Sequence, residues 1–142
     1  GPSRSDRLVL PVTSGHNFWA FMRARNVLFT QFLPDDQTSG DVLTVEEWPD
    51  VAYVVWQKEI CPTTNRLHYQ GYIEFVGKKS YRWIQKNCEG LETAHFEVRR
   101  GSQAEARRYC MKEDTRVDGP WEHGERREQV KPHPVDLVLL KD

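Results

Sequence analysis

The sequence predicts an α+β fold: an antiparallel sheet of about five strands with helices packed on one face. Three observations lead there. Segments Asn26–Phe32, Val51–Lys58 and Leu67–Phe75 are rich in aromatic and β-branched residues, and the last alternates along its length. Turn-forming Pro62-Thr63-Thr64-Asn65 joins the second and third as a hairpin. Two later segments open with helix-capping residues, one on each side of a short strand. With 142 residues the chain can build one domain with a core and is short for two.

In chain order, residues 1–17 carry Pro2, Pro11, Ser3, Ser5, Ser14 and Gly15 and read as a flexible tail, with Gly1-Pro2 as a protease-cleavage scar. Phe18–Arg25 is apolar and basic, and fits either helix or strand. Asn26–Phe32 is the first strand, ended by Pro34-Asp35-Asp36. Val42–Trp48 is a short helix candidate between Ser39-Gly40-Asp41 and Pro49. Val51–Lys58 and Leu67–Phe75 form the hairpin. Ser80 caps a helix over Ser80–Asn87 that Gly90 closes. His95–Val98 alternates as a strand. Ser102 and Glu105 make a capping box for a helix running to about Lys112, built from good helix formers. Val117-Asp118-Gly119-Pro120 is a turn, and Trp121–Gly124 adds a short edge strand. From 126 to 142 the chain is polar and interrupted by Pro132 and Pro134, a terminal segment or linker, with the apolar run Val135–Leu140 unassigned. The order suits a split βαβ, ferredoxin-like sheet over residues 18–125, whose central hairpin presents alternate side chains to an open face.

Composition narrows the function. Net charge is −1, which argues against indiscriminate nucleic-acid binding. Residues 76–116 nevertheless hold ten Lys/Arg against six Asp/Glu, a local basic excess able to contact a few phosphates or simply a solvated mixed surface. Cys61, Cys88 and Cys110 form no CxxC pair, so free thiols in a reducing, intracellular setting are expected and structural zinc is not. No apolar run approaches the roughly 18–20 residues of a membrane span, no signal peptide is evident, and no membrane partner is expected.

Two short segments carry the chemistry. On a strand His68 and Gln70 share one face and Tyr69 takes the other. Glu59, nine residues before His68 across the turn, comes within reach in a suitable register. Glu59, His68 and Gln70 then offer oxygen, nitrogen and oxygen ligands to Mg²⁺ or Mn²⁺, or else they are ordinary surface hydrogen-bonders. Tyr109 and Lys112, three apart on a helix, are neighbours. They read as a nucleophile and a cation that stabilises charge on phosphate, or as a core tyrosine and a solvated lysine. Thr30 and Gln31 on the first strand could touch DNA backbone or bases. Lys78, Lys79 and Arg82, after the metal strand, would hold its phosphates. A metal that polarises phosphate, a hydroxyl that attacks it and a nearby cation suggest DNA strand cleavage through a phosphotyrosine link.

Phe29-Thr30-Gln31-Phe32, then His68–Phe75, then Tyr109-Cys110-Met111-Lys112-Glu113 resemble in order and spacing motifs I, II and III of the HUH-type replication initiators. The likeness is to the Rep proteins of circoviruses and related circular single-stranded DNA viruses. There the second motif is commonly His-hydrophobic-Gln and the third Tyr-Cys-x-Lys-Glu. Asp114–Trp121 and Gly124-Glu125 also look like this family, so the resemblance covers roughly residues 26–125. Motif I departs from the usual Phe-Thr-Leu-Asn-Asn after Phe29-Thr30. The resemblance implies an HUH endonuclease domain over 18–125, acting with Mn²⁺ or Mg²⁺ on single-stranded DNA at a replication-origin hairpin loop in the host nucleus. Tyr109 would become joined to the 5′ end and release a 3′-OH, and reversal would rejoin strands. Full-length relatives carry a helicase domain afterwards; Gly77-Lys78-Lys79-Ser80 lacks the first glycine of a phosphate-binding loop, so the chain looks like the isolated nuclease domain. The competing reading is a non-catalytic single-strand-binding module on an RRM-like sheet.

Overall fold

A computed structural model of the chain describes residues 18–34 and 43–125. The expected tail at 1–17 and terminal segment at 126–142 lie outside them, as does Val42, the start of the first helix candidate. After one helical turn at 18–21 come β1 (Arg23–Phe32), a 3₁₀ turn (Val45–Glu47), β2 (Val51–Ile60), β3 (Leu67–Ser80), α1 (Tyr81–Asn87), β4 (His95–Val98), α2 (Gln103–Tyr109) and β5 (Arg116–Gly124). The strands form one antiparallel sheet in the order β4-β1-β3-β2-β5. Its first four are ordered as a split βαβ unit requires, and β5 extends the β2 edge. The expected α+β sheet is present.

Alternation along the central strands divides the core in two. Val27, Phe29, Val54, Trp56, Tyr69, Ile73 and Phe75 face α1 and pack with its Tyr81 and Ile84. Tyr53, Val55 and Tyr72 face the other way and pack with Ala106 and Cys110 of the α2 segment. A single helical layer was expected; α2 instead covers part of the opposite face. Strands with apolar residues at both parities, as in Tyr53-Val54-Val55-Trp56, need cover on both sides.

Local chemistry accounts for the boundaries. Ser80 Oγ accepts the Trp83 N–H at 3.0 Å and starts α1. The Ser102–Glu105 capping box starts α2. α2 stops at Tyr109, short of Lys112, because Cys110 leaves helical geometry at φ −83°, ψ 0°. The helix expected over Val42–Trp48 is one 3₁₀ turn, since Trp48 precedes Pro49 and is driven extended. The turn expected at Val117–Pro120 lies inside β5, where register shifts against β2 absorb it as a bulge. At the centre of β3, Gly71 lies beneath the Phe29 ring, where a Cβ would come within 2.2 Å of ring carbons.

Candidate active site

The sheet register builds the site. β2 sets Glu59 opposite His68, and β1 sets Thr30 opposite Gln70 and Phe32 opposite His68. Glu59, His68, Gln70 and Thr30 thus share the sheet face that α2 partly covers. Glu59 is only 2% exposed. Its Oε2 accepts from Lys112 Nζ at 2.7 Å and Gln57 Nε2 at 2.7 Å. Its Oε1 accepts from Lys112 Nζ at 2.8 Å and lies 3.3 Å from His68 Nε2. Burial alone would raise the Glu59 carboxyl, but hydrogen bonds from His68, Lys112 and Gln57 outweigh it and hold the pKa at about 2. Glu59 is therefore an anion at any physiological pH.

Gln57 was not among the expected site residues. Its Nε2 also donates to the Lys112 carbonyl at 2.8 Å, tying the segment after α2 to the sheet. Its place two residues before Glu59, on the same strand face, was the available signal.

Gln70 Oε1 accepts from Thr30 Oγ1 at 3.1 Å, and Gln70 Nε2 donates to the Phe29 carbonyl at 3.0 Å. Thr30 and Gln70 line a cleft of about 330 Å³ together with Leu28, His95, Glu97 and Tyr109. Tyr109 is the last residue of α2 and 49% exposed, so it is not a core tyrosine. Lys112 Nζ lies 4.6 Å from its ring centroid. One ammonium thus touches both the Glu59 carboxylate and the Tyr109 ring; the spacing had suggested only the Lys112–Tyr109 half of this.

Buried polar contacts set the pose of α2. Gln103 at its start donates to Glu74 Oε2 at 2.8 Å. Glu74 also accepts from the Tyr72 hydroxyl, which in turn accepts from Arg99 at 2.7 Å. One turn on, Arg107 Nε bridges Glu122 at 2.7 Å and the Tyr53 hydroxyl at 3.1 Å. Burial, reinforced by the neighbouring carboxylates Glu122 and Glu74, raises both tyrosine hydroxyls well above their ordinary range. These residues carry no motif and could not be picked out before the sheet was known.

Not every expected contact converges here. Gln31 points to the α1 face, is buried, and donates to Thr93 Oγ1 at 2.7 Å and the Phe32 carbonyl at 3.0 Å. Strand alternation accounts for this: Thr30 and Gln31 cannot both face the cleft. Lys78 lies ten residues along β3 from His68, about 33 Å of strand. Lys79 pairs with Asp50 at 2.7 Å and lies over the Trp83 ring, while Lys78 and Arg82 are exposed at that far end.

Among the described residues no three His, Cys, Asp or Glu side chains gather as a metal site. The mixed set of Glu59, His68 and Gln70 does fit a hard divalent cation. It offers a carboxylate held ionised, an imidazole whose buried Nδ1 has no hydrogen-bond partner, and an amide oxygen on the same face.

Comparison with known proteins shows the family. Residues 29–113, more than half of the chain, match the family described as "Putative viral replication protein". The chain is 52% identical over 73 residues to the Master replication protein of Milk vetch dwarf virus, covering 51% of this chain and 24% of that protein. It is 36% identical over 115 residues to the Master replication protein of Banana bunchy top virus, covering 81% of this chain and 37% of the relative. Para-Rep C1 of Milk vetch dwarf C1 alphasatellite is 38% identical over 87 residues, 61% of this chain and 29% of that protein. The chain belongs to the viral replication protein family, and the resemblance to the Rep proteins of circular single-stranded DNA viruses is borne out. It spans about a quarter to just over a third of the length of these relatives.

Proposed function

We propose that this chain is the nicking and strand-joining domain of a replication initiator, acting on single-stranded DNA through a tyrosine-linked intermediate. Tyr109 Oη attacks the scissile phosphorus and loses its proton. The bond from phosphorus to the 3′ oxygen breaks, that oxygen takes up a proton as a free 3′-OH, and the 5′ phosphate stays on Tyr109. Attack by a 3′-OH reverses the exchange and joins strands. The observation that carries this reading is that Tyr109, exposed at the end of α2, lines the same cleft as Thr30 and Gln70, with Lys112 reaching from Glu59 to its ring.

Each residue has a task that its environment supports. Lys112 supplies positive charge beside the Tyr109 ring and stabilises negative charge developing on the phosphate. Glu59 and Gln57 hold Lys112 in place through its ammonium and its carbonyl. Glu59, His68 and Gln70 would hold Mg²⁺ or Mn²⁺, which when bound supplies Lewis-acid polarisation of the phosphate. Thr30 orients the Gln70 amide. Cleavage is expected on unpaired DNA such as an origin hairpin loop, where unstacked bases can be splayed onto the sheet face. The nuclear setting and a helicase domain elsewhere in the full-length protein belong to the same reading. Among the described residues no helix is long and apolar enough to cross a membrane.

The test is covalent trapping of a labelled single-stranded origin oligonucleotide on a denaturing gel. Tyr109→Phe should abolish the adduct and retain DNA binding, and chelation of divalent ions should stop cleavage. An adduct persisting in Tyr109→Phe, or mapping to Tyr69 or Tyr72, would remove Tyr109 from the role.

A further inference from the structure

We infer that Phe32, with Arg66 above it, is a stacking platform for a nucleobase of the bound single strand, next to the cleft that holds Tyr109. The inference rests on the single-strand reading above and adds a recognition site to it. Phe32 follows Thr30 by two residues on β1, so both side chains point to the cleft face. Its Cα partner across the sheet is His68, and the two rings lie 5.3 Å apart at 51°. The platform therefore abuts the Glu59–His68 pair directly. A base lying on Phe32 would keep its own sugar and phosphate beside His68 and Gln70.

Phe32 is not part of the core. It is 44% exposed, while Phe29, three residues back and so on the other face, is buried. Leaving an aromatic ring open to water beside the His68 ring forgoes the benefit of burying it. What covers the ring is informative. Arg66, exposed in the β2–β3 turn, sets its guanidinium carbon 4.8 Å from the ring centroid. A guanidinium is a flat, delocalised cation, so this ring face already accepts a planar partner of the kind a base offers. A base arriving there displaces an exposed side chain rather than packed core, and the freed guanidinium is suited to the adjoining phosphate. The backbone beneath is fixed: the buried Gln31 amide donates to the Phe32 carbonyl at 3.0 Å and to Thr93 at 2.7 Å. Gln31, turned from the cleft, thus braces the residue that faces it.

The experiment compares two probes in the Tyr109→Phe background, so that binding is read without cleavage. One is a single-stranded oligothymidylate; the other is an abasic deoxyribose-phosphate strand of equal length and charge. The parent should bind the base-bearing strand more tightly. Phe32→Ala should weaken that strand roughly 5- to 150-fold and leave the abasic strand nearly unchanged. Phe32→Trp should keep the preference, which separates loss of a ring from loss of fold. Arg66→Ala should weaken both strands modestly, as loss of one cation would. Equal effects of Phe32→Ala on both strands, no effect on either, or Phe32→Trp behaving like Phe32→Ala would overturn the platform. If the chain with Tyr109 intact still forms a covalent adduct while Phe32 variants bind like the parent, only this inference falls. If the parent binds neither strand at low salt, the platform falls; the nickase reading falls if the chain with Tyr109 intact forms no adduct on the origin oligonucleotide.

Discussion

Replacing Lys112 with Met keeps the aliphatic stem and removes the ammonium. Two charge-assisted hydrogen bonds to Glu59, at 2.8 and 2.7 Å, disappear. Glu59 is left as a buried carboxylate held by Gln57 and His68. Stranding one member of a fully buried ion pair costs about 3–5 kcal/mol. Lys112 is 28% exposed on its side chain, so water already solvates part of the ammonium, and we expect about 2–3 kcal/mol. That is a large share of the roughly 5–15 kcal/mol that stabilises a domain of this kind. Glu59→Gln in the same chain removes the stranded charge, so the double variant should recover most of the loss. Urea denaturation in chelator reads this cycle without any contribution from bound metal. The catalytic half is read separately: Lys112→Met should slow single-turnover cleavage about 10²–10³-fold, and Lys112→Arg should restore part of it. An uncoupled stability cycle would show that Lys112 does not neutralise Glu59. Parental cleavage by Lys112→Met would remove it from the chemistry.

Three other outcomes follow from particular contacts. Gly71→Ala drives a Cβ into the Phe29 ring and should lower stability by about 1–3 kcal/mol, read as a fall in melting temperature with DNA sequence preference unchanged. Burial pushes the Cys88 thiol up to about 12 and raises the Tyr53 and Tyr72 hydroxyls, so their neutral forms favour the fold. That stability is fully present below about pH 9 and is lost as pH rises through the folded-state values; urea midpoints that hold constant from pH 8 to 11 would contradict it. Thr30→Val unties Gln70 and should slow cleavage, whereas Gln31→Asn should leave the abasic-strand affinity unchanged; single-turnover rates and binding isotherms distinguish the two.

Much of the fold was readable because local signals and tertiary demands agree. Ser80, Ser102 and Glu105 act where capping chemistry places them, and the β2–β3 hairpin follows from its turn and its alternation. Glu59 and His68 could be paired because only nine residues separate them. What escaped were relations set by distant partners. Gln57 serves Lys112 across 55 residues, and Glu74 meets Gln103 across 29. The side of the sheet that α2 covers depended on which of two apolar strand faces it met. Alternation alone could have separated Thr30 from Gln31. The span from His68 to Lys78 was hidden because β3 runs past Phe75 to Ser80.

The length disparity between the two halves of the site has a consequence for how the chain folds. Glu59 and His68 meet by closing a local hairpin, an event of microseconds in isolated peptides. Thr30 and Gln70 meet only when β1 inserts beside β3 across 40 residues, and that insertion also creates the edge on which β4 pairs. Loop-closure entropy makes such pairing late and slow. A nascent or partly unfolded chain can therefore hold Glu59 beside His68 while it lacks the cleft wall next to Tyr109. Completion of the cleft beside Tyr109 is thus coupled to a less local step of folding than the hairpin that joins Glu59 to His68.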